Sequence, residues 1–216
     1  MVTLKARDLQ VALIGDVVRS RTRADRQDLH DELTAALDDA NRSVAGEDPL
    51  VITVGDEFQG VYATLGGALH ASFVVRAALH PRTDVRFGLG RGAVTTLDPV
   101  RGIHDGPAYW AARDAITTAK ERAQKAQTRT SRTAYVGPED DPATVAAVQS
   151  ALDCLDFMVG SMSSTSREIF GGLMGAHTQQ ELAERLGLSA SAVSQRVRRD
   201  GIGVAVEATQ RLWELP

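Results

Sequence analysis

Residues 178–198 have the spacing of two short helices joined by a tight turn, and this stretch restricts the fold more than any other part of the chain. Ala183 provides the small side chain that is needed where the second helix crosses the first. Gly187 follows four residues later, where such a turn needs a positive φ angle. Ser189 can then cap the second helix, and Val193 can anchor it against the first. The pattern predicts a helix-turn-helix.

The side chains left on the outer surface of these helices are polar or basic. Short residues at the start of the second helix, followed by Gln and Arg, can reach base edges and phosphates in the major groove of DNA. We therefore expect contacts to double-stranded DNA from Thr178, Gln179, Ser189, Ser191, Ser194, Gln195, Arg198 and Arg199. Nearby acidic residues offset much of the positive charge, so we expect a homodimer whose two copies share the binding. The alternative use of such a helical hairpin is dimerisation alone.

The chain before this stretch alternates apolar runs of strand length with stretches of helical spacing. Strands are predicted at 11–14, 50–54, 58–62, 85–89 and 133–136, and helices at 25–44, 65–80 and 107–127. This order, β-α-β-β-α-β followed by α-β, is that of a split βαβ, ferredoxin-like fold with an extension. Gly88-x-Gly90-x-Gly92 lies within a strand pattern and is therefore not a dinucleotide-binding loop.

A polar segment rich in Gly and Pro, residues 137–142, marks the predicted domain boundary. The fold class that follows is α+β: a βαββαβ domain over residues 1–138, then a small all-α domain over residues 139–216 that contains the helix-turn-helix.

Charge and composition restrict the function further. The formal net charge is −4, so any positive potential for DNA binding must be local. The single cysteine, Cys154, excludes an internal disulfide and is typical of a reducing compartment, which predicts a cytoplasmic protein. The start of the chain has no signal-peptide pattern, and no apolar run is expected to span or bind a membrane.

Two acidic positions are predicted to meet at one edge of the sheet. Asp16 closes the first strand, and Asp56 and Glu57 lie in the hairpin turn that closes the second. The first helix is a crossover between parallel strands, so both strands end at the same edge. Such carboxylates suit a Mg²⁺ ion that carries a nucleotide phosphate. The alternative is structural, because Gly-Asp is common in turns and a strand-ending Asp often caps a helix.

Four ordered motifs in this region resemble those of a known family. They are Asp16-Val17-Val18-Arg19-Ser20, Thr53–Phe58, Arg86–Gly92 and Gly106–Arg113. Over about residues 10–135 they resemble the SatD family and, more distantly, class III nucleotide cyclases and GGDEF diguanylate cyclases. The Gly187–Arg198 run is similar to tri-helical DNA-binding regions of bacterial regulators and sigma factors.

The cyclase resemblance implies a nucleotide-cyclase-like fold, metal ligands at Asp16 and Asp56 with Glu57 beside them, and a phosphate-stabilising Arg113. Arg19 and Ser20 could also hold phosphate, and the alternative is that they belong to a solvated loop. The alternative for Arg113 is a surface or ion-pair residue. Tyr109 replaces an asparagine of the cyclase pattern and Ile52 replaces a lysine. Loss of a transition-state donor typically lowers the reaction rate by about two to three orders of magnitude. We therefore expect nucleotide binding to be retained even where catalysis is lost.

Three functions remain open at this point. The first is a transcription regulator whose cyclase-like domain binds a nucleotide, with Mg²⁺, and modulates DNA binding. The second is a nucleotide cyclase or another phosphoryl-transfer enzyme with an accessory DNA-binding module. The third keeps the DNA-binding module and makes the larger domain a dimerisation scaffold.

Overall fold

The computed structural model describes residues 9–18, 20, 25–98 and 103–216. Within them the strands are β1 (Gln10–Val17), β2 (Asp48–Val54), β3 (Glu57–Tyr62), β4 (Val85–Gly92), β5 (Thr95–Asp98), β6 (Ile103–Asp105) and β7 (Thr133–Val136). The α-helices are α1 (Arg26–Ser43), α2 (Leu65–Leu79), α3 (Pro107–Ala123), α4 (Pro142–Ser161), α5 (Ser164–Met174), α6 (Gln179–Leu186), α7 (Ala190–Arg199) and α8 (Ile202–Leu212).

Five strands form one sheet in the order β2-β3-β1-β4-β7. Strand β1 pairs antiparallel with both β3 and β4, and β7 adds to β4 in parallel. This arrangement confirms a mixed α and β fold with the predicted order of strands and helices. Strands β5 and β6 form a separate two-stranded sheet that the sequence patterns did not predict.

The first strand was predicted over residues 11–14, where Gly15-Asp16 has the pattern of a turn, and this end is wrong because β1 continues to Val17. Gly15 serves packing at this position and does not break the strand. A Cβ atom on Gly15 would lie 2.1 Å from the Cζ atom of Phe58 on the neighbouring strand. The glycine therefore makes room for a fully buried ring, and Asp16 stays within the sheet.

The glycines of β4 allow α3 to lie directly on the strand. A Cβ atom on Gly88 would come within 2.3 Å of the Ala112 carbonyl oxygen, and one on Gly90 within 2.1 Å of the Ala112 nitrogen. Ala108 and Ala112 on the facing side of α3 are fully buried. The Gly-x-Gly-x-Gly run thus lies within a strand, as predicted, and sets the distance between the sheet and α3.

Helix α4 connects the sheet to the helical region. Its residues Val148 and Leu152 belong to the main hydrophobic core beneath the sheet, whereas Leu155 and Val159 belong to a second core formed by α2, α5, α6, α7 and α8. Phe73 of α2 also lies in that second core. The helices after residue 139 therefore pack against the α/β part and share core residues with it.

Helix α4 also has the length and mean hydropathy of a membrane-spanning segment, which the sequence analysis did not expect. Those two properties are also met by core helices of folded proteins. In this fold Val148, Leu152, Leu155 and Val159 of α4 are buried inside the protein, whereas Phe157 is 61% exposed.

Helices α6 and α7 form at the predicted positions with a tight turn between them. Gly187 ends α6 in the left-handed region at φ 64°, and the Ser189 side chain accepts a hydrogen bond from the backbone nitrogen of Ala192 at the start of α7. Val193 is fully buried against the rest of the helical region. A capping box between Thr178 and Glu181 begins α6.

Candidate functional site

The predicted acidic edge exists in the sheet. Asp16 on β1 and Glu57 on β3 are directly opposite each other in the antiparallel pairing, and Asp56 immediately precedes β3 in the hairpin turn. The β-α-β-β order thus brings together side chains that lie about forty residues apart in sequence. Asp56 and Glu57 are both partly exposed.

Arg86 of β4 forms a bidentate ion pair with the carboxylate of Asp16. Its Nε donates to Asp16 Oδ1 at 2.8 Å and its Nη2 donates to Asp16 Oδ2 at 3.1 Å. The two side chains are only 13% and 19% exposed. A bidentate guanidinium satisfies both carboxylate oxygens and balances their charge. The sequence analysis did not assign Arg86 to the site; the signal would have been its antiparallel pairing with Asp16 in adjacent strands.

In their observed positions, the side chains of the acidic edge therefore do not fit a magnesium ion. Mg²⁺ needs carboxylate oxygens that are free to enter its coordination shell, and both oxygens of Asp16 accept hydrogen bonds from Arg86. Within residues 9–18, 20, 25–98 and 103–216, no three His, Cys, Asp or Glu side chains cluster closely enough to hold a metal ion.

Two of the predicted phosphate-binding residues, Arg113 and Ser20, are described, and they differ in exposure. Arg113 projects from α3 to Glu57, with Nη1 3.7 Å from Oε1, and its side chain is 61% exposed. Ser20 is buried, at 7% exposure. Arg19 lies outside the described residues. Arg113 thus reaches the acidic edge with an exposed cationic group.

The predicted DNA-contacting residues lie mostly on an exposed surface of α6 and α7. Seven of them are exposed and Ser194 is half-buried; the exposed set is Thr178, Gln179, Ser189, Ser191, Gln195, Arg198 and Arg199. This surface is not packed into the protein interior. The outer face of α7 is therefore accessible to a large partner.

Some of these side chains already have partners within the chain. Thr178 shares its capping box with Glu181, and the hydrogen bond from the Thr178 backbone nitrogen lowers the pKa of the Glu181 carboxyl. Arg199 donates from Nε to Asp200 at 2.7 Å, and this hydrogen bond lowers the pKa of Asp200. Arg199 must exchange that partner before it can bind a phosphate, so Arg198 is the more available cation.

Several solved structures are similar to part of the chain. A bacterial light-regulated adenylyl cyclase shares 13% identity with a TM-score of 0.43, over 56% of this chain and 42% of that one. The guanylyl cyclase domain of the RhoGC fusion protein from the aquatic fungus Blastocladiella emersonii shares 16%, with a TM-score of 0.40, over 53% and 78%. The GGEEF domain of a diguanylate cyclase from Vibrio cholerae shares 14%, with a TM-score of 0.41, over 62% and 85%.

The chain spans less than half the length of that adenylyl cyclase. No curated protein matches it at a significant level. The family model described as the SatD family matches residues 10–215. The match extends past the resemblance expected for about residues 10–135 and includes every helix after the sheet. The chain belongs to the SatD family.

Proposed function

We propose that this protein is a cytoplasmic, homodimeric transcription regulator that binds double-stranded DNA through α7. In this proposal the α/β part binds a nucleotide and thereby modulates DNA binding. The observation that carries it is the exposed outer face of α7, which presents Gln195 and the unburied guanidinium of Arg198 on a helix that is firmly anchored from behind.

The anchoring supports a recognition role because base contacts need a helix with a defined position. Val193 is fully buried, the Ser189 side chain caps the first turn, and Gly187 provides the left-handed turn that directs α7 away from α6. Side chains on the opposite face of α7 are then not needed for packing. Gln can read adenine and Arg can read guanine or bind phosphate from such a position.

A homodimer follows from the charge of the surface. Glu181, Glu184 and Asp200 lie close to the basic residues of α6 and α7, and the whole chain is acidic. A single copy would therefore neutralise few phosphates and bind weakly at physiological salt. Two copies on adjacent half-sites would combine their contacts.

Nucleotide binding is supported at the acidic edge by Arg113, whose exposed guanidinium can pair with phosphate there. A magnesium ion at that edge would require Arg86 to release Asp16. The helices that lead to α7 pack on α2, and the backbone nitrogen of Gly66 in α2 donates to the Leu215 carbonyl oxygen at 3.0 Å. A ligand-induced shift of the α/β part can thus be transmitted to the DNA-binding surface through packed elements.

The DNA-binding half is tested by selecting duplexes from a random pool with the full chain and measuring affinity by fluorescence anisotropy. We expect Arg198→Ala and Gln195→Ala each to weaken binding about tenfold, in line with the loss of one base or phosphate contact. Arg211→Ala is the matched control, because Arg211 is an exposed arginine on α8 that pairs with Glu207. If no duplex is enriched, or if all variants bind the selected duplex with equal affinity, α7 is excluded as the DNA-recognition helix.

The nucleotide half is tested by repeating the affinity measurement with nucleoside triphosphates and cyclic nucleotides, with and without Mg²⁺. A change in affinity for the selected duplex is expected with at least one of them. Nucleotide-indifferent DNA binding would leave a DNA-binding protein with a scaffold domain.

A phosphoryl-transfer enzyme is the second candidate, since Asp16, Glu57 and Arg113 approach one another at one edge. Incubation of the full chain with each nucleoside triphosphate and Mn²⁺ separates the two functions. A cyclic product or pyrophosphate that disappears in Asp56→Ala would favour the enzyme.

A further inference from the structure

A cleft of about 810 Å³ is lined by Arg86, the residue that pairs with Asp16 of the acidic edge. It is lined by the end of β1, the start of β4, the end of α3 and the segment before β7, together with Gly160 of α4 and Arg167 of α5. Six cationic side chains line it, in a chain of net negative charge: Arg82, Arg86, Lys120, Arg129, Arg132 and Arg167. We call it the basic cleft.

Half of these cations are balanced by carboxylates. Arg86 pairs with Asp16, Arg132 donates from Nε to Asp84 Oδ2 at 2.6 Å, and Arg82 lies 3.2 Å from Glu32. The other three are Lys120, Arg129 and Arg167. None of them has a carboxylate within 4 Å among the residues that the structure describes, so the basic cleft keeps an excess of positive charge.

Two of the guanidinium groups are held in place before any ligand arrives. Arg132 uses three of its five N–H donors, one on Asp84 and two on the carbonyl oxygens of Arg129 and Ser131. Arg167 donates from Nε to the Met162 carbonyl oxygen at 3.0 Å. Fixed guanidinium groups lose little entropy on binding. Arg167 keeps both terminal nitrogens for two parallel hydrogen bonds to a phosphate, and Arg132 keeps the N–H donors of Nη2.

The imidazole of His80 in the wall of the basic cleft responds to this charge. Burial lowers its pKa to about 4, and the charges of Arg76, Arg167 and Arg132 act in the same direction, against the opposing effect of Asp84. The His80 Nδ1 atom is buried and has no hydrogen-bond partner among the described residues. His80 is therefore a neutral side chain in the wall of the basic cleft, and it adds no positive charge near neutral pH.

We propose that the basic cleft binds a small ligand with two or more phosphate groups, such as a nucleoside di- or triphosphate, without a metal ion. The volume is that of a small-molecule site. This deepens the proposed function and moves the phosphates of its nucleotide from Arg113 at the acidic edge to the basic cleft. Only the link to DNA binding rests on the proposed function. The link is geometric: Arg132 immediately precedes β7 of the sheet, and Arg167 belongs to α5, which packs against α6 in the second core.

Isothermal titration of the full chain with ATP, GTP, GDP and inorganic phosphate in EDTA tests this assignment. We expect the double variant Lys120→Gln/Arg129→Gln, at two exposed positions, to weaken nucleotide binding at least tenfold. Lys125→Gln is the matched control, because Lys125 is exposed near the same helix end but does not line the cleft. An NMR titration is expected to show that bound nucleotide raises the pKa of His80.

Three results of the nucleotide titrations would overturn the assignment. They are no binding in EDTA, an equal loss in Lys125→Gln, and binding that needs Mg²⁺ and is lost in Asp56→Ala but kept in the double variant. Displacement of the nucleotide by duplex DNA would assign the cleft to the DNA backbone and also overturn it. If the protein binds nucleotide but selects no duplex, the proposed regulator is refuted and the assignment of the basic cleft is retained. If it binds DNA but no nucleotide, the assignment of the cleft is refuted and the DNA-binding function is retained.

Discussion

Arg76 of α2 and Asp156 of α4 form a buried ion pair, with Nη1 2.6 Å from Oδ1 and side chains only 4% and 2% exposed. The second carboxylate oxygen of Asp156 accepts hydrogen bonds from the backbone nitrogens of Arg132 and Thr133, where β7 begins. One carboxylate thus connects the sheet, α2 and the helical region. It fixes the wall of the basic cleft at Arg132.

Removal of either partner is expected to be costly. Arg76→Met leaves a buried carboxylate without its counter-charge, which typically costs about 3–5 kcal/mol of unfolding free energy. Urea denaturation of the full chain measures this loss. The double variant Arg76→Met/Asp156→Asn should lose less than the sum of the two single variants, because an amide oxygen can still accept from the backbone. A loss below about 1 kcal/mol in Arg76→Met would contradict the buried pair.

The stability of the protein is expected to fall as the pH drops from 7 to 5, with His80 as a main cause. Its pKa is about 4 in the folded protein and returns to about 6.5 on unfolding, so the unfolded chain binds an extra proton between these values. The stabilisation is complete above pH 6.5 and is lost as the pH falls toward 4. The expected loss between pH 7 and pH 5 is about 2 kcal/mol.

The pH effect is measured by urea denaturation of wild type and His80→Gln at both pH values. The variant should lose less stability on acidification, although His70, whose pKa is also lowered by burial, leaves a residual slope. Equal slopes in the two proteins would show that His80 titrates normally.

Two glycine-to-alanine changes are expected to act in opposite directions. Gly90→Ala places a methyl group 2.1 Å from the Ala112 nitrogen and must push α3 off the sheet, which should cost about 3 kcal/mol. Gly203→Ala lies on the exposed side of α8, where the nearest atom is 3.6 Å away, and should stabilise by about 0.5–1 kcal/mol. Melting curves compare them, and a mild Gly90→Ala would contradict the close packing.

The order of strands and helices was predictable because hydrophobic periodicity depends on local sequence. The acidic edge followed from that order, since a crossover places Asp16 and Glu57 at the same end. The end of β1 was misplaced because Gly15, which makes room for Phe58, cannot be distinguished in the sequence from a glycine that begins a turn. A local signal does not show what a glycine packs against.

The partners of the site residues could not be predicted in the same way. Arg86 pairs with Asp16 across seventy residues, and only the β1–β4 register brings them together. The basic cleft draws its cations from β4, α3, α5 and two connecting segments. Each of them is an ordinary charged residue in its own segment, so no spacing rule identifies the set.

Magnesium alone is expected to leave the melting temperature of the wild-type protein unchanged, because Arg86 occupies both oxygens of Asp16. In Arg86→Leu the freed carboxylate lies beside Glu57 and Asp56, and the like charges should cost about 1–3 kcal/mol. A divalent cation that binds the folded state would recover part of that loss, so the variant should melt higher in Mg²⁺ than in EDTA. Arg82→Leu is the control, because its exposed guanidinium pairs with Glu32, away from this edge. Equal magnesium responses in wild type and Arg86→Leu would mean that the carboxylates bind the ion with Arg86 in place.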